Sequence, residues 1–285
     1  MPFRFNMLLQ DEGIDPADVR LLRHQTGKVP GRTPYTLWRD DIAGFQRYQS
    51  TQDPSPRQRS RFRARYWASF VAPPLGGTLF VGLYEVRLIG SVPAGAIDPL
   101  TLREVGADKK LVVYDEYDCH PMEELSDYVG RLFVHWGDSS SAARAWIQRA
   151  DQQDKEVVEL ARSFREEDFP GYTRFVRPLS EVETMPSSWK QALAASRGVY
   201  LLVCPKTREH YVGAAYGEGG FLARWRDYAA TSHGGNKGLI EREPSDWQVS
   251  VLEVAGSAAS VEDIIAMEAA WKTKLHSRTI GLNLN

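Results

Sequence analysis

Cysteine is almost missing from this 285-residue chain: Cys119 and Cys204 stand far apart, with no clustered histidines around them. That scarcity argues against a disulfide framework or a zinc cage and fits a reducing cytoplasm. No apolar run approaches the roughly 18 residues needed to cross a bilayer, so no membrane partner is expected. Met1 to Gln10 lack the charged, apolar and small-residue layout of a secretory signal. A surplus of one charge is lacking too. The net charge of -2 argues against indiscriminate coating of nucleic acid, although only charges lining a groove meet phosphate. No internal repeat or low-complexity tract stands out. What remains is 42% hydrophobic and 25% charged, the balance of a folded globular protein. The length suits one large domain or two ordinary ones.

Acidic residues are absent between Asp53 and Glu85, and inside that gap Arg57, Arg59, Arg61, Arg63 and Arg65 alternate with other residues. In an extended segment, alternation would set all five on one side, where they could follow a phosphate backbone. In a helix they would spread around the axis, and in a solvated turn they would pair with acidic residues elsewhere. Tyr66 to Val71, Thr78 to Leu88, Lys110 to Tyr114 and Arg131 to Trp136 read as strands, rich in β-branched and aromatic residues. Ala142 to Ala150 and Val157 to Arg165 read as short helical or mixed segments, and residues 1 to about 50 as partly helical. The chain is expected to be α+β: a β-rich N-terminal domain over 1–180, a linker at 181–195 marked by Pro186-Ser187-Ser188, and a C-terminal domain over 196–285. In the latter, Gly198 to Val203 and His210 to Ala214 form a strand pair. Phe221 to Ala230 forms a helix, Trp247 to Val254 a third strand, and Ser260 to Leu275 a second helix.

Glu268 is the informative residue of that last helix. Val261, Ile264, Ile265, Trp271 and Leu275 define an apolar face at 100° per residue, and Glu268 falls within it. A carboxylate there is costly unless something charged meets it. Lys272, one turn along, or a neighbouring arginine could be that partner; the other reading is a metal ligand at the edge of a cleft. Tyr200 and Tyr211 lie either side of a short connection, near one another across a hairpin. Gly198 and Gly213 beside them mark close approach by a ligand or another backbone. A phenol is a poor base at neutral pH unless a metal-bound water or a cation such as Lys206, Arg208 or His210 lowers its pKa. On the next helix, Arg224 and Tyr228 are one turn apart. Arg224 is either a surface cation or a guanidinium that grips a phosphate. His233, Asn236 and Lys237 lie in a polar, glycine-rich loop with donors suited to a phosphate backbone.

In the order Gly198-Val199-Tyr200, Tyr211-Val212-Gly213, Arg224, Glu268 and Asn283, the sequence from about Arg197 onward resembles the GIY-YIG endonuclease family. The resemblance implies a small mixed sheet packed by helices. It implies one divalent ion, Mg²⁺ or Mn²⁺, on Glu268, and water attack on phosphorus with Tyr200 or Tyr211 as general base. Arg224 would stabilise the developing charge, and Asn283 would help hold the site or the product. A histidine common in the family four residues after the arginine is replaced here by Tyr228. The whole chain is similar to bacterial GIY-YIG nuclease family proteins with a long N-terminal extension. Within that extension, Arg65-Tyr66-Trp67-Ala68-Ser69-Phe70 leading to Phe80-Val81-Gly82-Leu83-Tyr84 resembles PUA-like barrels. Such barrels hold a flipped, modified base on aromatic rings. Tyr66, Trp67, Trp136 and Trp146 are the candidate platforms, with core packing the alternative for each.

Three functions compete on these grounds. One is a metal-dependent DNA endonuclease of restriction or defence, its N-terminal domain choosing the target. Another is a structure-specific nuclease of repair or recombination. The last is a nucleic-acid-binding protein with a decayed nuclease fold. With one active site per chain, double-strand cleavage would call for a homodimer, sequential nicks or two encounters.

Overall fold

The structure is a computed structural model that describes residues 2–25, 29, 31–74, 76–107, 113–138, 145–231, 234–235, 239 and 246–284. The chain forms two compact units, Met1–Arg165 and Glu166–Asn285. Among the described residues no helix is long and apolar enough to cross a membrane.

In the first unit, α1 (Phe5–Asp11) precedes β1 (Val19–His24), α2 (Pro34–Asp40), α3 (Ile42–Ser50), β2 (Thr51–Gln52) and α4 (Pro56–Phe62). Strands β3 (Tyr66–Val71), β4 (Leu79–Ser91), β5 (Asp115–Pro121), β6 (Leu132–His135), β7 (Ile147–Arg149) and β8 (Glu156–Leu160) follow. The described strands make one sheet in the order β2-β5-β4-β3-β1-β7, with β6 joined to β4 and β8 to β6. Among the described strands only β1 and β3 run parallel. The sheet is curled, with register shifts at Ser69/Phe70 and Leu88/Gly90, as bulges tend to bend a strand. Helix starts follow side-chain chemistry. Thr33 and Thr36 close a capping box across the first turn of α2, which Pro34 begins, and the Asp41 carboxylate accepts from Gly44 N–H at the start of α3.

The arginine run is not extended. Pro56 opens α4, Phe62 anchors it in the core, and Arg57, Arg59 and Arg61 therefore fan around an axis instead of sharing a side. Arg59 is spent on a bidentate pair with the buried Asp115, at 2.6 and 2.7 Å. Arg65 pairs with Glu85 at 2.9 Å and lies over the Tyr66 ring. Arg57 and Arg63 are exposed. The four candidate base platforms also separate. Trp67 and Trp136 are buried, their ring N–H groups donating to the carbonyls of Phe62 and Ala145. No face of either ring is left for a ligand, so both are corrected to core. Tyr66 is half-buried against the core, and half-buried Trp146 lines a cleft of about 410 Å³.

Elsewhere the sequence expectations need correction. Residues 147–149 and 157–160, read as helical or mixed, belong to strands β7 and β8. β8 shows little inside–outside alternation because most of it is exposed, leaving no period to read. Residues 110–112 of the expected strand Lys110 to Tyr114 lie outside the described residues; Tyr114 accepts a backbone hydrogen bond from Val92, and β5 follows from Asp115.

The second unit opens with a 3-10 turn (Tyr172–Arg174), β9 (Val176–Pro178), a second 3-10 turn (Leu179–Thr184) and α5 (Ser187–Ala194). The segment 181–195, expected as a linker, is therefore an integral part of the unit. Val182, Met185, Trp189 and Leu193 are all buried in its core, and Pro186 flanks the first residue of α5. Next come β10 (Gly198–Val203), β11 (His210–Ala215), α6 (Gly220–Thr231), β12 (Gln248–Val254) and α7 (Val261–Lys274). These match the expected β-β-α-β-α order. The four strands make an antiparallel sheet, β11-β10-β12-β9. A cluster of Phe175, Trp189, Tyr200, Phe221, Trp225 and Tyr228 dominates the core.

Candidate functional site

Tyr200 sits in the middle of β10, in register with Gly213 on β11. A Cβ at position 213 would lie 2.4 Å from the Tyr200 hydroxyl oxygen. The glycine is thus the gap through which the tyrosine ring crosses its neighbouring strand. Gly220 starts α6 at φ +52°, with the carbonyl of Ser196 where a side chain would go. Helix α6 buries Phe221, Leu222, Trp225 and Tyr228 and carries Arg224 on its flank.

Three phenols and one guanidinium then converge. The Tyr200 hydroxyl donates to that of Tyr228 at 3.0 Å. Arg224 donates to both phenol oxygens at 3.3 Å and to the Gly234 carbonyl at 3.3 Å. Its guanidinium lies 4.9 Å from the centre of the Tyr228 ring. Tyr211 joins the cluster through a hydrogen bond with Tyr228. Burial pushes all three phenols well above their ordinary pKa; for Tyr211 the neighbouring Tyr228 and the Glu268 carboxylate add to it. Burial draws the Arg224 pKa down, but the surrounding tyrosines outweigh it and the net shift is upward. At neutral pH the cluster is one cation held by three neutral phenols.

Tyr200 and Tyr228 are sealed in the core, but Tyr211 lines a cleft of about 370 Å³ together with Arg224, Asp227, Glu218 and Glu268. Glu268 reaches it from α7, whose start is fixed by a capping box between Ser260 and Asp263. The inward face of α7 is narrower than the sequence suggests: Val261 and Ile265 are exposed, and Ile264, Glu268 and Lys272, four residues apart, face inward. The Lys272 ammonium lies 3.3 Å from the Glu268 carboxylate. The charged partner that Glu268 demands is therefore present, and the carboxylate borders the cleft as well.

Asn283 does not face the cleft with a free amide. Its Oδ1 accepts from Val212 N–H at 2.9 Å and its Nδ2 donates to Val212 C=O at 2.8 Å. It staples the segment after α7 to the strand that carries Tyr211. Lys206 is exposed in the β10–β11 turn and is not among the cleft residues. His233, Asn236 and Lys237 lie outside the described residues. Glu218 and Asp227 escaped the sequence reading, because an acidic residue on a loop or an exposed helix flank carries no periodic signal.

Among the described residues no group of three His, Cys, Asp or Glu could hold a metal ion. The donor set at the cleft, with Glu268 as its inward carboxylate, fits a hard, hydrated cation of the Mg²⁺ type, which keeps most of its water. It does not fit a caged transition metal.

No family model matches this chain, and no curated protein matches it. Among solved structures, the chain is similar to a point mutant of the catalytic domain of intron endonuclease I-TevI. The identity is 23%, with a TM-score of 0.26, over 32% of this chain and 94% of that one. So faint a likeness decides neither fold nor chemistry.

Proposed function

We propose that the second unit is a divalent-metal-dependent phosphodiester hydrolase acting on DNA, with the cleft between β11, α6 and α7 as its active site. The observation that carries this reading is convergence. Tyr211, Arg224 and Glu268 come from three separate elements and line one cleft, and they are three of the five side chains that the sequence motif singles out.

Each has a role that its surroundings support. The Arg224 guanidinium is fixed by two phenol oxygens and a carbonyl, and its side chain is still 30% exposed. It can meet a phosphate with a preset geometry, which is where a charge stabiliser gains most. Tyr211 borders the cleft, so it is the tyrosine assigned to the attacking water; Tyr200 and Tyr228 orient Arg224 and Tyr211 from behind. Asn283 keeps the Tyr211 strand in place. Glu268 would hold the divalent ion, which when bound supplies charge to polarise the phosphate and lower the pKa of nearby oxygen acids. For the first unit we propose target selection, in which the exposed Arg57 and Arg63 add sequence-independent affinity and Trp146 borders the recognition cleft.

Supercoiled plasmid and phage DNA, modified and unmodified, should be nicked by the purified protein with Mg²⁺ or Mn²⁺ and left intact with chelator. Glu268→Gln should remove cleavage and retain most DNA binding, because phosphate contacts elsewhere provide affinity. Arg224→Lys should lower the rate by about 10²–10³, the usual cost of one transition-state donor. Metal-independent cleavage, or full activity in Glu268→Gln, would defeat the assignment. Binding without cleavage on every substrate would instead mark a phosphate-binding module.

A further inference from the structure

Lys272 is among the few buried charged side chains among the described residues, only 5% exposed, and its ammonium lies 3.3 Å from Glu268, itself 15% exposed. The pair sits at the margin of the cleft, with Glu268 on its wall. Asp227 approaches Arg224 within 4.0 Å, and Glu218 is exposed on the loop after β11. We infer that Lys272 is a built-in counter-ion that holds Glu268 electrically neutral, so that a divalent cation loads on this carboxylate only together with an anionic phosphate. The inference rests on the metal-dependent reading above and goes beyond it, in naming what controls loading.

A 2+ ion attracted by the Glu268 carboxylate is also repelled by the ammonium that lies 3.3 Å from that carboxylate, and the low dielectric of a half-buried site strengthens both effects. Glu218 and Asp227 also border the cleft, Asp227 within 4.0 Å of Arg224, but among the described residues no three such side chains stand together as ligands of one ion. A phosphodiester beside Arg224 brings one further negative charge and oxygen ligands of the kind that a hydrated Mg²⁺ or Mn²⁺ takes up. Ion and phosphate then raise each other's affinity by the same factor, as linkage requires. Lys272 is thus a positioning residue: it acts on the ion through Glu268 and touches no reacting atom.

The test reads metal binding, not turnover. Free Mn²⁺ is followed by electron paramagnetic resonance with the full-length protein, alone and with a phosphorothioate-linked DNA duplex, corrected for the duplex by itself. Wild type should bind Mn²⁺ about tenfold or more tighter with the duplex than without it, within the usual range of coupling. Lys272→Met, of similar length and neutral, should bind Mn²⁺ about tenfold tighter in the free protein and lose most of that coupling. Lys272→Arg keeps the charge and should behave as wild type, which separates charge from packing. Equal Mn²⁺ affinity with and without duplex overturns the inference even if Lys272→Met fails to fold. Unchanged affinity in a folded Lys272→Met overturns it as well. Glu268→Gln is the control for the underlying reading. If its Mn²⁺ binding with duplex equals that of wild type, the ion does not sit on Glu268, and it is the metal assignment that fails.

Discussion

Position 213 tolerates no side chain while Tyr200 lies across it. Gly213→Ala would press a methyl group into the phenol, and we expect a loss of about 1–3 kcal/mol of stability, the usual cost of overpacking. Thermal melts of the two proteins check it; an unchanged midpoint would mean that the ring has room to move. At the cleft, Tyr211→Phe should lower cleavage by about 10²–10⁴, the range for loss of a general base. A tyrosine pushed upward by burial is almost wholly protonated at neutral pH. While the pH stays below that pKa, each unit of increase raises the active phenolate fraction tenfold, and the rate should climb steadily from pH 7 into the alkaline range. A flat profile at saturating metal would remove the base role. These residues were readable because the motif is local and ordered. The Glu268–Lys272 spacing was readable as well, but whether the lysine or a metal answered the carboxylate was not. The spacing allows either, and in the structure Glu268 both meets Lys272 and borders the cleft.

Helix α4 shows how a pattern of residues can be right about charge and silent about shape. Alternating arginines fit an extended strand as well as a helix, and Pro56 at the first helical position with Phe62 as an anchor decided for the helix. The consequence is unequal arginines. Arg59→Ala leaves the buried Asp115 without its bidentate partner and should lower the melting temperature clearly more than Arg57→Ala does. Equal shifts would show that Asp115 finds another partner. Neutralising Arg57, Arg61 and Arg63 together should weaken DNA binding and flatten its dependence on salt while sparing cleavage at saturating DNA. An unchanged slope in the folded triple variant would end that proposal. Strands β7 and β8 were missed for a different reason: they are short or mostly exposed, so neither offered an alternation to read.

Across the whole molecule, the boundary between units was the least legible feature. Pro186-Ser187-Ser188 has a linker's composition, yet Trp189 and Leu193 just after it are buried, and Phe175 and Leu179 before it belong to the same core. Composition reports local preference, whereas burial depends on contacts made far along the chain. A fragment of residues 166–285 should therefore fold and melt cooperatively, and one of residues 196–285 should not, having lost those four core side chains. Circular dichroism melts would decide, and equal cooperativity in both would return the segment to the role of linker. The Asn283 staple has its own consequence during synthesis. Val212 waits for a partner 71 residues further along, an interval of about 4–14 s at ordinary translation rates. Until that partner leaves the ribosome, β11 offers its outer backbone groups to any extended chain nearby, and the wall of the cleft that bears Tyr211 stays unfastened.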